Sequence, residues 1–270
     1  MEKILIATDF SPAAGNAVSY GADLAKYFNA QIALVHSFTM ALGGYDAMAP
    51  LLTLSELQNS GLGALREEKN RIISRIGYDP GIECICEPGS VFGVISEAAT
   101  RKGIDLVVMG MVGQAGALKQ KLIGSSALSA ARNLQVPLLI VPEKAKYKTI
   151  RRISFAVDTP QLPNSTLLHT ARAFTALFGA ELELVEVLKD NEASKQDPEF
   201  VEKLLLKVKH VNVTLHEDRI AEALDAYYKM KKPDLVMVNP KKHNLFHDLF
   251  GSSVTNKLAF QLEIPLLAVH

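Results

Sequence analysis

Along this chain, short apolar runs alternate with stretches in which apolar side chains recur every three or four residues. The first pattern predicts strands and the second predicts helices with one buried face. In the amino-terminal half the predicted strands are Ile4–Thr8, Gln31–His36, Ile82–Cys86, Leu106–Met109 and Leu138–Val141. Leu106–Met109 is apolar throughout, as suits a central parallel strand covered on both faces. The first helix follows Ser11, a capping residue, with Pro12 at its first position and Val18, Gly21, Ala25 and Phe28 along one face. Leu62, Leu65, Lys69, Ile72 and Ile76 give a second helix its stripe, with one polar interruption. A third starts at Ser90 with Val91, Val94, Ile95 and Ala98, and Ser125 or Ser126 is placed to cap the last.

The carboxy-terminal half repeats the pattern. Its predicted strands are Ile153–Val157, Glu181–Leu188, Val211–Leu215, Leu235–Val238 and Leu266–Val269. One helix carries Leu167, Ala171, Phe174 and Phe178, and another Ile220, Leu224 and Tyr227. Phe200–Lys209 is an amphipathic stretch, and a final helix is expected before the last strand. Alternating strands and helices predict an α/β fold: two tandem open parallel five-stranded sheets with helices on both faces.

The halves also match in sequence. Lys3-Ile-Leu-Ile-Ala-Thr-Asp9 parallels Arg152-Ile-Ser-Phe-Ala-Val-Asp158, and Asp105-Leu-Val-Val-Met-Gly110 parallels Asp234-Leu-Val-Met-Val-Asn239. Gly124-Ser-Ser126 parallels Gly251-Ser-Ser253, and Val136-Pro-Leu-Leu-Ile-Val141 parallels Ile264-Pro-Leu-Leu-Ala-Val269. The order is the same, with an offset of 149 at the first match and 127 to 129 at the others. The first copy is therefore longer, through an extra stretch near Thr39–Ser60 that reads as a loop running into a helix. At roughly 100–200 residues per domain, a 270-residue chain holds one large domain or two small ones. The repeat selects two, residues 1–145 and 146–270, joined by the polar, lysine-rich Glu143–Thr149.

Composition narrows the partners. Hydrophobic residues at 48% and charged residues at 21% suit an ordinary globular protein. A net charge of zero gives no electrostatic case for a nucleic acid or anionic membrane. Apolar runs such as Pro137–Pro142 fall far short of the ~20 residues a membrane helix needs. Met1-Glu2-Lys3 does not open a signal peptide, and Cys84 and Cys86 are the only cysteines, so a cytoplasmic protein is expected.

In open parallel sheets, ligands bind beyond the carboxyl ends of strands. Asp9, Ser37, Gly110 and Gly113 stand at such ends, and Gly124-Ser125-Ser126 opens the last helix of the first half. Glycines admit close backbone approach, a helix start offers free N–H groups to phosphate, and an aspartate can accept from an adenine amino group or a ribose hydroxyl. Together they read as a nucleotide site. A cap on the helix that follows is the lesser reading of Asp9, weaker still with the glycines present. His36 reads as a packed histidine with no nucleophile to serve, and Cys84 and Cys86 as core residues without the further ligands a metal needs.

These residues resemble the universal stress protein family. Asp9-Phe10-Ser11 is similar to the Asp-Phe-Ser after the family's first strand, and Leu34-Val35-His36 to its second strand. Its signature is Gly, two residues, Gly, nine residues, Gly, then Ser or Thr. Here Met109-Gly110-Met-Val-Gly113 is followed by ten residues and then Gly124-Ser125-Ser126, one residue longer. The resemblance implies an adenine-nucleotide alpha-hydrolase-like, Rossmann-like fold and a stress-response regulator binding ATP, or AMP or ADP, with or without Mg2+. By that resemblance Asp9 would hold the adenine side, the backbone at Ser37 would border the base, and Gly110, Gly113, Gly124, Ser125 and Ser126 would hold ribose and phosphates, with Met109 among the cofactor-binding residues.

In the second half Asn239 and Lys242 stand at the signature's glycine positions, with eight residues from Lys242 to Gly251, so its site reads as degenerate. Lys241, Lys242 and His243 form a solvated loop or an anion site, and His243 and His247 lack the glutamate of a zinc-protease motif. Two further readings stand beside nucleotide-dependent regulation: an interaction module that binds no nucleotide, and a slow ATP hydrolase. The chain has neither a GxxxxGK[ST] loop nor a GxGxxG. The family's pairing through last strands implies that Leu138–Val141 meets Leu266–Val269 within one chain. The molecule would then be a monomer that mimics a dimer, or a dimer of such units.

Overall fold

The computed structural model describes residues 1–39, 53–111, 124–157, 165–188, 193–194, 197–240 and 263–269. The first half runs β1 (Lys3–Ala7), α1 (Pro12–Phe28), β2 (Gln31–Phe38), α2 (Leu54–Ile76), β3 (Ile82–Pro88), α3 (Val91–Lys102), β4 (Leu106–Gly110), α4 (Ser125–Asn133) and β5 (Leu138–Val141). The second runs β6 (Arg152–Val157), α5 (Ser165–Phe178), β7 (Glu181–Leu188), α6 (Pro198–Leu204), β8 (His210–His216), α7 (Ile220–Lys231), β9 (Leu235–Val238) and β10 (Leu266–Ala268). The final helix expected before β10 falls outside the described residues.

The strands form one ten-stranded sheet, in the order β3-β2-β1-β4-β5-β10-β9-β6-β7-β8. The two predicted sheets are thus continuous. β5 and β10 would each leave an open row of backbone groups, and they pair with one another instead. That junction is antiparallel, with Leu266 opposite Ile140, Leu267 opposite Leu139 and Ala268 opposite Leu138. The other neighbouring pairs are parallel. β1 and β4 are buried on both faces, which is why they read as unbroken apolar runs. One core layer joins Ile4, Ile6 and Leu34 to Phe155, Leu182 and Leu184 beneath α1, α2, α5 and α6. The opposite layer, beneath α3, α4 and α7, joins Leu5, Val107 and Ile140 to Ala156, Val185 and Leu266. Both layers run across the junction.

The halves repeat at the level of single hydrogen bonds. Asp105 Oδ2 accepts from the Glu2 amide at 2.5 Å and the Lys3 amide at 3.1 Å. Asp234 Oδ2 accepts from the Arg151 amide at 2.9 Å and the Arg152 amide at 3.0 Å. The Gln31 amide donates to Glu2 O and the Glu181 amide to Arg151 O, both at 2.8 Å. Among the described elements the halves differ most in their second helix: α2 has 23 residues and α6 has 7. Part of the extra stretch in the first copy is therefore the start of α2, where Thr53 and Glu56 form a capping box.

The connector is held at both ends. Asn16 Nδ2 donates to Pro142 O at 2.8 Å and to Ala145 O at 2.9 Å. Lys148 Nζ lies 2.6 Å from Asp234 Oδ1. Between them Tyr147 packs edge-on against Tyr20 of α1, with ring centroids 5.3 Å apart.

Candidate functional site

A cavity of about 270 Å3 opens at the carboxyl ends of β1 and β4, and the amino-terminal turns of α1, α3 and α4 converge on it. Of the sequence-predicted residues, Asp9, Ser37, Met109, Gly110, Gly124, Ser125 and Ser126 all line it. Gly113 lies outside the described residues, as do Asp158, Lys242, Gly251, Ser252 and Ser253 of the second half.

The turn after β1 is fixed by side chains. Thr8 Oγ1 accepts from the Phe10 amide at 3.0 Å, and Asp9 Oδ1 accepts from the Ser11 amide at 3.0 Å. Phe10 has φ 63, a left-handed conformation costly for a bulky residue. Its ring lies 4.6 Å from that of His36, whose Nδ1 is 2.8 Å from Thr8 O and so must carry the proton that bond needs. His36 therefore braces the turn that presents Asp9. Asp9 itself is exposed and lines the cavity.

The helix starts differ in how they are capped. Ser11 Oγ accepts from the Ala14 amide at 3.3 Å, and Ser90 Oγ from the Gly93 amide at 3.1 Å. α4 departs from the prediction: its N-cap is Gly124, with no side-chain cap bond, and Ser125 and Ser126 belong to its first turn. A hydroxyl inside the first turn does not cap that turn, so among the described residues no side chain caps the amides of α4. An uncapped helix start concentrates unpaired N–H donors and the positive end of the helix dipole, which suits an anion. No lysine or arginine is among the described lining residues.

The remaining wall is apolar or small. Ala7, Ala14, Val35, Val91, Ile95 and Ala127 line it together with Thr8 and Ser11. The sequence reading placed Val91 and Ile95 on the buried face of α3 without assigning them to the site. Their four-residue spacing at a helix start beside the glycines was the available signal. Gly110 has a packing reason to be glycine: a Cβ there would lie 2.7 Å from Ala13 O and 3.1 Å from Ala14 N. The backbone of α1 thus rests directly on β4.

Among the described residues no cluster of three or more His, Cys, Asp or Glu could hold a metal. Cys86 is buried, and burial pushes both cysteine thiols up, as expected of unreactive core groups. No described helix is long and apolar enough to cross a membrane.

The model of the universal stress protein family matches residues 1–142. A universal stress protein of Methanocaldococcus jannaschii is 30% identical over 149 residues, covering 54% of this chain and 84% of that protein. Among solved structures, a universal stress protein from Archaeoglobus fulgidus has a TM-score of 0.69 at 16% identity, over 99% of this chain and 95% of that one. A protein of unknown function from Pseudomonas aeruginosa gives 0.59 at 13% identity, over 100% of this chain and 92% of that one. At these identities the two structures bear on the fold, which they share almost end to end.

Proposed function

The chain belongs to the universal stress protein family, and from that premise we propose that it is an adenine-nucleotide-binding regulatory protein of the stress response. ATP, AMP or ADP would occupy the first-half cavity. The observation that carries this reading is the first turn of α4, uncapped among the described residues, lining one cavity together with Gly110 and Asp9. Apolar walls from Val35, Val91 and Ile95 suit an adenine ring, and Asp9 suits its amino group or a ribose hydroxyl. The α4 amides and the Ser125 and Ser126 hydroxyls would meet phosphate. Asp9 is the lone carboxylate on the described wall, so a magnesium ion would draw its ligands mainly from phosphates and water.

The chain reads as two tandem domains, residues 1–145 and 146–270, the second with a degenerate site. The paired hydrogen bonds of Asp105 and Asp234 support the duplication, and Asn239 at the position of Gly110 supports the degeneracy. Titration calorimetry with ATP and magnesium tests both parts. The expected result is one nucleotide per chain. Two per chain would overturn the degenerate second site, and no heat together with no thermal stabilisation would overturn nucleotide binding.

A further inference from the structure

The described sheet has two edge strands, β3 and β8. Natural edges are usually blunted by charge, proline or a bulge. β3 follows that rule, with Glu83, Glu87 and Pro88 in its span. β8 does not. It reads His210-Val-Asn-Val-Thr-Leu-His216, with neither proline nor a carboxylate, lysine or arginine.

Its hydrogen bonds show which backbone groups are exposed. Lys209 O accepts from the Leu182 amide and the Glu217 amide donates to Leu188 O, both at 2.9 Å. Odd-numbered residues thus turn their backbone groups toward β7, and His210, Asn212, Thr214 and His216 turn theirs outward. A second copy laid antiparallel, with a two-fold axis at Val213, would satisfy all four. Asn212 then faces Thr214 of the second copy and His210 faces His216, each as a hydrogen-bonded pair. Val213 faces its own copy as the closer, non-hydrogen-bonded pair.

The same register matches the side chains. Val213 and Leu215 pack on the core layer beneath α7, and Val211 is 42% exposed beside them. Across the axis Val211 meets Leu215, so the apolar stripe continues into the second copy. One position further out, Lys209, whose side chain is 77% exposed and whose Nζ lies 3.2 Å from Glu181 Oε2 of its own chain, also comes opposite the exposed Glu217 of the second copy. The symmetry makes this charge pair twice. The equivalent pairing of β3 about Ile85 would set Glu83 against Glu87 twice and would put Pro88, which has no N–H, at a bonding position. In that register β3, whose Glu83 and Glu87 already pair with Lys102 and Arg101 of their own chain, brings no complementary charge and meets a proline, whereas β8 is complementary to itself.

We propose that the chain forms a two-fold dimer through β8, extending each ten-stranded sheet into that of a second copy. The proposal does not depend on nucleotide binding. Sedimentation equilibrium of the full chain across a concentration series tests it, with far-UV circular dichroism as the check on folding. Wild type is expected to dimerise, and Lys209→Glu to weaken the dimer by about tenfold, because two attractive cross-strand pairs become repulsive. The double exchange Lys209→Glu with Glu217→Lys is expected to restore it. A wild type that stays monomeric throughout, a dimer indifferent to Lys209→Glu, or a double variant no better than the single one would each overturn the proposal.

Discussion

Gly110 carries a proposed role and an observed one. Its place in the glycine signature underlies the proposed contact with nucleotide, and a Cβ there would strike the Ala13 carbonyl at 2.7 Å. Gly110→Ala is therefore expected to lower the unfolding free energy by about 1–3 kcal/mol without nucleotide, since backbone yields less readily than a side chain. An unchanged denaturation midpoint would leave ligand approach as its sole reason. Asp9 is the converse case. Its described bond is a local one to the Ser11 amide in an exposed turn, so Asp9→Ala should cost little stability. Nucleotide affinity should fall by about 1–3 kcal/mol, as when a buried polar partner is left unpaired. Calorimetry that finds unchanged affinity would remove Asp9 from the site. The positions of Asp9 and Gly110 were legible in the sequence because a strand end followed by a spaced glycine is a local pattern. The packing of Gly110 was not, because it depends on α1 crossing β4.

Among the elements, the central strands were the easiest to read: β1 and β4 are buried on both faces, and burial on both faces leaves unbroken apolar runs. The start of α4 was harder. Gly, Ser and Ser are each acceptable at an N-cap, and the one chosen decides whether the first-turn amides are left unpaired. Asp105 and Asp234 marked the repeat in the sequence, but their work was hidden there because their partners lie far away in the chain. Each ties the first strand of its half to the strand beside it. At Asp234 burial works against the charge, and the Lys148 ammonium and the Arg151 and Arg152 amides outweigh it, so the carboxyl titrates below its ordinary 3.8. A depressed folded-state value means a contribution fully present above the unfolded value and lost as pH falls through the folded one. Asp234→Asn should therefore destabilise the protein at neutral pH and flatten the acid limb of its stability curve below about pH 4. Parallel acid limbs for variant and wild type would show that this carboxylate does not couple folding to protons.

At the scale of the whole molecule, an aromatic cluster spans the junction. Tyr27 and Phe28 at the end of α1 lie 6.5 and 5.2 Å from Phe178 at the end of α5, and Tyr147 of the connector lies 6.5 Å from Tyr27. The Tyr147 hydroxyl is buried without a hydrogen-bond partner among the described residues, and burial pushes its pKa up to about 12. Its ring thus contributes through packing. Tyr147→Ala should cost about 2 kcal/mol in thermal or chemical unfolding, while Tyr147→Phe should be neutral or stabilising by up to about 1 kcal/mol. A Phe variant as damaged as the Ala variant would mean the hydroxyl has a partner after all. The polar composition of Glu143–Thr149 gave no hint that the connector is pinned, because the pinning groups, Asn16 in α1 and Asp234 just before β9, are distant in the chain. The antiparallel seam of β5 and β10 also sets a direction for everything attached to the sheet. Because strands run parallel within each half and reverse at the seam, the strand carboxyl ends of the halves form opposite rims of the molecule. A partner that reads the rim around Asp9 approaches with its back to the other rim, and that other rim can drift in sequence, or acquire a client of its own, without obstructing the first.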